Sequence, residues 1–342
     1  MNILIPSLHT PFIRGGADLM TNGLKKALMD HGHNTDIVRF PFNFCSNRFI
    51  SALMDYCIGQ DFESFNGQVI DRVIALQFPA YYVQHPEKIL WLMHQHRTAY
   101  DLYERTKACP EKGALQKKIA ACDNREFTRF SSIFTMCRNI SKRLYTFNNI
   151  KSTPLYHPPA DEDRFYCKES YDYIFFPSRL ELLKRQDLLI KAMSYTRSPV
   201  MAVISGEGGQ KHHFMQLIES LHLKHKVCLT GHVAEAEKYR LYARSLAVFF
   251  GPYDEDYGYI TLEAMLSSKP VVTCRDSGGP LEFVVDRETG FVVEPDPVQI
   301  AQKIDWLYDN RHKAKQMGEA GKQSYLKKNI NWNTVVEKLL QR

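Results

Sequence analysis

Close cysteine pairs, long apolar runs and a complete dinucleotide-binding glycine pattern are all missing from this chain. Its eight cysteines (45, 57, 109, 122, 137, 167, 228 and 274) are scattered without a Cys-x-x-Cys, which argues against a zinc ribbon or a dithiol redox pair. No apolar stretch approaches the roughly 18 residues that cross a bilayer. The opening Met1-Asn2-Ile3-Leu4-Ile5-Pro6 has no basic segment leading into a long apolar one, so no secretory leader is expected. These absences point to a cytoplasmic protein with reduced thiols. Gly15-Gly16 lacks the rest of Gly-x-Gly-x-x-Gly, and a bound dinucleotide is not indicated.

Charge is also in short supply. A formal net charge of +6 over 342 residues is too mild to call for nucleic acid. Its distribution is uneven: from Arg105 to Arg143 ten Lys or Arg stand against Glu111, Asp123 and Glu126. A solvated helical face is the plainer explanation. The sharper one is a patch meeting an anionic membrane surface or a phosphate-bearing acceptor, with peripheral attachment to the inner face of the cell membrane.

What is present is a long alternation of short apolar runs and helical patterns, the signature of parallel α/β sheets. Strands are expected at 1–7, 35–40, 73–77, 89–93, 132–136 and 154–156. Between the first two, Leu19, Met20, Leu24, Ala27 and Leu28 recur at helical spacing, and His31-Gly32 stops that helix. The aromatic-rich stretch 40–65 carries no assignable pattern. Near His157-Pro158-Pro159-Ala160 the alternation breaks. A second series follows, with strands expected at 172–176, 200–205, 227–230, 246–250 and 270–273. The length suits two domains of about 150 to 180 residues, with expected bounds 1–158 and 159–328. A terminal helix within 329–342 needs a surface for Val335, Val336, Leu339 and Leu340. Ligands of such doubly wound sheets bind at the C-terminal ends of the strands.

The most informative stretch runs from Phe250 to Met265. Glu255 and Glu263 flank Gly258, near which a helix should begin. The glycine lets backbone approach a ligand, and the amides of Gly258, Tyr259 and Ile260 would form a donor-rich helix start. Glu263, further into the helix, can accept two hydroxyl hydrogen bonds of the kind a ribose offers. Alone, two acids near a helix start are commonly dipole stabilisers. Arg179 and Lys184, after an expected strand, can converge on a diphosphate as a fork and a point charge. Ser277-Gly278-Gly279-Pro280 follows another strand, and its amides could face an anion.

The spacing Arg179, Lys184, Glu255-x7-Glu263, Gly278-Gly279-Pro280, Glu282 and Gly290-Phe291 closely resembles the C-terminal domain of family-4 glycosyltransferases, over about residues 172 to 310. Gly15-Gly16 fits that family's glycine-rich loop against the diphosphate. The resemblance implies a GT-B fold: two Rossmann-like domains facing across a cleft, with the last helix crossing back to an acceptor-binding N-terminal domain. It also implies roles. Arg179 and Lys184 would hold the diphosphate, Glu263 the ribose and Glu255 the donor sugar, with Gly258, Tyr259 and Ile260 nearby. Gly231-His232-Val233 would contact the base. His94, directly after a strand, would lie beside the donor sugar, with His96 as runner-up; a metal on the two is the lesser reading, since such histidines more often split between cleft and solvent.

The implied activity is retaining transfer of a sugar from a UDP- or GDP-linked donor to a glycan or lipid-linked hydroxyl, in cell-surface polysaccharide, lipopolysaccharide or glycolipid assembly. No metal or other cofactor is expected, because Arg179, Lys184 and helix-start amides would carry the developing charge. Two competitors share the features: a sugar-nucleotide epimerase of the same fold, and a non-catalytic nucleotide-sugar-binding protein.

Overall fold

The computed structural model describes residues 1–13, 15–44, 46–106 and 110–341. Cys45, Cys109 and Lys107 lie outside these residues, as do the side chains of Arg105, Glu111 and Lys112. The chain divides into two compact units, one of residues 1–160 with 331–342 and one of residues 161–330.

The first unit is built on a parallel sheet of β1 (Asn2–His9), β2 (Asn34–Pro41), β5 (Arg72–Ala75), β6 (Lys88–Leu92), β7 (Ser132–Thr135) and β8 (Thr153–Pro154), with a separate hairpin of β3 (Ser64–Phe65) and β4 (Gln68–Val69). The sheet order is β2-β1-β5-β6-β7-β8. Its central strands are apolar on both faces because helices cover both: all five residues of β6 are buried. The helix Gly16–Asp30 turns Met20, Leu24, Ala27 and Leu28 inward, whereas Leu19 faces solvent.

The stretch 40–65, unassigned from sequence, contains the helix Asn47–Ile58, and the Ser46 side chain caps it by accepting from the Phe49 amide at 3.2 Å. The terminal helix Trp332–Leu340 belongs to this unit. It buries Val335, Val336 and Leu339, sets Trp332 against Trp91 with ring centroids 6.2 Å apart, and accepts a hydrogen bond from Arg72 at the Leu339 carbonyl, 3.2 Å away. Leu340 is only half-buried.

The second unit holds the parallel strands β9 (Tyr173–Pro177), β10 (Met201–Ser205), β11 (Val227–Gly231), β12 (Ala247–Phe249), β13 (Val271–Cys274) and β14 (Gly290–Val293), in the order β11-β10-β9-β12-β13-β14. The first strand of the unit, β9, lies centrally, and the winding reverses between it and β12. That switch point leaves a crevice at the strands' C-terminal ends, because the loops on either side diverge to opposite faces of the sheet. Ile174, Phe176, Leu189, Ile190, Val200, Phe249 and Val272 lie in the core around it. Each such side chain contributes about 1.5–3 kcal/mol when fully buried.

Candidate functional site

Three loops at the switch point of the second unit are knitted into one backbone network. They leave β9, β12 and β13 and cover residues 178–185, 250–258 and 275–280. The Tyr253 amide donates to the Leu183 carbonyl at 2.8 Å, Asp254 to Asp276 at 2.8 Å and Glu255 to Ser277 at 2.9 Å; Gly279 returns a bond to the Glu255 carbonyl at 2.8 Å. The last two loops thus extend the sheet as a parallel bridge between Glu255 and Gly278.

Arg185, at φ +56°, locks the same loops from the side. Its guanidinium donates to the carbonyls of Gly251 (2.8 Å) and Pro252 (2.7 Å) and grips the Asp276 carboxylate with bonds of 2.9 and 2.6 Å. A planar fork can reach carboxylate and carbonyl together, which an ammonium cannot. Gln186, fully buried, donates to the Arg179 carbonyl at 2.7 Å. Neither Arg185 nor Gln186 was singled out from sequence, although both follow Lys184 directly.

On this frame the Lys184 ammonium donates to Glu255 Oε2 at 2.6 Å, with each side chain about one-fifth exposed (20% and 19%). It also lies 5.8 Å from the centre of the Phe250 ring, whose negative face favours a cation. Arg179 is exposed. Among the described residues its side chain has no hydrogen-bond or ion-pair partner. An exposed guanidinium and a partly buried ammonium, at the ends of one short loop, suit a group with several anionic oxygens.

Glu255 stands within Asp254-Glu255-Asp256. This and Asp161-Glu162-Asp163 are Asp-x-Asp triplets. Among the described residues no three His, Cys, Asp or Glu side chains gather as metal ligands would.

Gly258, at φ +84°, caps the helix Tyr259–Leu266. A Cβ there would lie 3.0 Å from both the Phe250 and Pro280 side chains, so glycine is required both for the left-handed turn and for the space. Tyr259 and Ile260 are half-buried at the first turn. Glu263 is 8% exposed, and the Tyr242 hydroxyl donates to its Oε2 at 2.6 Å. Burial first, and then the Glu263 carboxylate, hold the Tyr242 phenol well above its ordinary pKa, so it remains a donor. The expectation that Glu263 is free to take hydroxyls therefore narrows to its other oxygen.

Of the expected anion-facing amides after β13, those of Ser277 and Gly279 are spent within the protein. Residues Gly279–Glu282 make a single 3-10 turn, and the Gly279 amide is consumed by the Glu255 carbonyl, while Ser277 donates to Cys274. The turn braces the Glu255 loop instead.

Gly231 ends β11 at φ +71°. His232 is exposed and Val233 half-buried, and the helix Glu235–Arg244 that follows carries Tyr242 back to Glu263. In the first unit, Gly15 caps the helix Gly16–Asp30, and its amide is already bonded to Asp18 at 3.2 Å. His94 follows β6, half-buried, with Nδ1 2.7 Å from the Gln95 carbonyl, leaving Nε2 without a protein partner among the described residues. His96 is different. Its ring packs on Phe78 at 4.8 Å, its Nε2 meets Thr98 Oγ1 at 2.9 Å, and burial with nearby His94 lowers its pKa to about 4. It is a packed neutral side chain.

Of the basic stretch 105–143, Lys118 pairs with Asp55, Arg125 and Arg129 with Glu126, and Arg143 with Asp101. Asp55 and Asp101 stand outside the stretch and offset two of its seven excess positive charges. Among the described residues no helix is long and apolar enough to cross a membrane.

Residues 161–324 match the family described as glycosyl transferases group 1. The D-inositol 3-phosphate glycosyltransferase of Corynebacterium diphtheriae is 32% identical over 174 residues, which are 48% of this chain and 40% of that protein. The chain therefore spans well under half the length of that curated relative. Among solved structures, sucrose-phosphate synthase from Thermosynechococcus elongatus superposes with a TM-score of 0.77 at 14% identity, covering 98% of this chain and 97% of the other. Anabaena HepE, solved in complex with UDP, gives 0.73 at 16% identity, with 99% and 98% covered. The fold is GT-B, and residues 161–324 match the glycosyl transferases group 1 family.

Proposed function

We propose that the chain is a retaining glycosyltransferase taking a sugar from a UDP- or GDP-linked donor to a hydroxyl of a glycan or glycolipid, in the assembly of cell-surface polysaccharide, lipopolysaccharide or glycolipid. The observation that carries this reading is the placement of Lys184, Glu255 and Arg179 on loops bound together at the switch point of the second sheet. The UDP held by a relative of the same fold, HepE, supports the donor class.

Glycosyl transfer breaks the bond between the anomeric carbon and a phosphate oxygen while an acceptor hydroxyl attacks. Positive charge builds on the sugar ring and negative charge on the departing diphosphate. Fixed cations stabilise that change most where water is scarce. Lys184, partly buried and held by Glu255, is such a cation, and Arg179 is free to close over the phosphates. Glu255 would then face the sugar hydroxyls and Glu263 the ribose. No carboxylate is assigned as a covalent nucleophile; the departing phosphate takes the acceptor's proton on the face it leaves. The Gly15-Gly16 turn would border the diphosphate and His94 the donor sugar.

Replacing Arg179 or Lys184 by Ala and measuring transfer from sugar nucleotides tests the assignment. A loss of at least tenfold is expected, and rates within twofold of wild type would remove the phosphate role.

A further inference from the structure

Glu263 is one of two carboxylates around a single ammonium. Lys238, on the helix Glu235–Arg244, donates to Glu235 Oε2 at 2.8 Å and stands 3.7 Å from Glu263 Oε1. Its side chain is one-fifth exposed and lies beside two rings, Tyr239 at 5.3 Å and Phe165 at 5.9 Å. The division of contacts is informative. Glu263 Oε2 is spent on the Tyr242 hydroxyl. Lys238 spends its short bond on Glu235 and approaches Oε1 as a charge rather than as a donor. A bond at 2.8 Å would occupy that oxygen, whereas a cation 3.7 Å away attracts it and leaves its lone pairs available.

We infer that Lys238 is a positioning residue for ribose recognition, holding Glu263 oriented so that Oε1 accepts the nucleotide's sugar hydroxyls. The inference rests on the proposed reading of Glu263 and extends it to a residue outside the sequence pattern. The electrostatics agree with the geometry. Burial works against the Lys238 ammonium, yet Glu263 and Glu235 outweigh it and raise its pKa. The same helix begins two residues after Val233, so Lys238 and Tyr242 tie the expected base loop to the ribose carboxylate through one rigid element.

The test compares binding of UDP and GDP with that of their 2′,3′-dideoxy counterparts, in wild type, Lys238→Met and Lys238→Arg, by calorimetry. Wild type should prefer the ribonucleotide about tenfold or more, as a charge-assisted hydrogen bond gives. In Lys238→Met that preference should fall to about threefold or less, with dideoxynucleotide affinity unchanged, and Lys238→Arg should restore it. Equal losses for both nucleotide forms, or a full preference retained by Lys238→Met, would overturn the inference. A wild type that binds nucleotide without preferring ribose, and does not respond to Glu263→Gln, would instead overturn the ribose role of Glu263 from which this argument starts.

Discussion

The Lys184 ammonium and the Glu255 carboxylate, 71 residues apart in sequence, meet at 2.6 Å. The residue assigned to the phosphates and the residue assigned to the donor sugar are therefore one ion pair, and each sets the other's availability. Neutralising the acid should free the cation. Glu255→Gln is expected to leave the donor KM unchanged or lower it, while kcat falls at least tenfold. Initial-rate kinetics with varied donor would show the split, and a rise in KM at constant kcat would contradict it.

Gly279 is a packing requirement. A Cβ there would lie 2.7 Å from the carbonyl oxygens of both Asp256 and Tyr257, which are backbone atoms and cannot rotate away. Gly279→Ala should push the Glu255 loop off its bridge, costing about 1–3 kcal/mol of stability and at least tenfold in transfer rate. Chemical denaturation and rate assays on the same preparation would measure both. An unchanged midpoint would mean that the loops yield without cost.

Metal dependence offers a direct trial of the electrostatic reading. If Arg179 and Lys184 supply the charge opposite the leaving group, transfer in excess EDTA should stay within twofold of the untreated rate. Abolition by EDTA with recovery on adding Mg²⁺ or Mn²⁺ would shift the role to a cation, with Asp254-Glu255-Asp256 as the first residues to examine.

His157 gives the acid limb of stability a sign. It is fully buried against Trp91, with ring centroids 5.3 Å apart, and burial lowers its pKa to about 3. The unfolded chain binds a proton near the ordinary value of 6.5, so the folded state's advantage is intact above pH 6.5 and drains away as the pH falls towards 3. Replacing the imidazole by a side chain that cannot ionise, as in His157→Gln, should lower stability at pH 7 yet flatten its decline between pH 6.5 and pH 4. Parallel pH-dependent denaturation of the two proteins checks this, and identical slopes would refute it.

Much of the architecture could be read from the residue pattern because parallel strands covered on both sides must be apolar throughout, as in Ile174-Phe175-Phe176. The helix Asn47–Ile58 has two signs in the sequence, the Ser46 cap and the stripe Ile50, Leu53, Met54 and Cys57, which exposed aromatics such as Phe49 and Tyr56 obscured. The hairpin at residues 64–69 was signalled by Asn66-Gly67, both at positive φ, a pair suited to a two-residue turn. Lys184 and Glu255 could be found as chemically loaded residues after strand ends, and Glu263 by its spacing from Glu255 within the following helix. Arg185, Lys238 and Tyr242 could not, since their importance lies in partners 21 to 91 residues away.

Arg185 also bears on how this part of the molecule comes apart. One guanidinium joins segments from three strand ends, and none of them can leave without stranding a charged donor or its acceptors. Amide protons across residues 178–185, 250–258 and 275–280 should consequently exchange with solvent as one cooperative block, opened by a single local event rather than loop by loop.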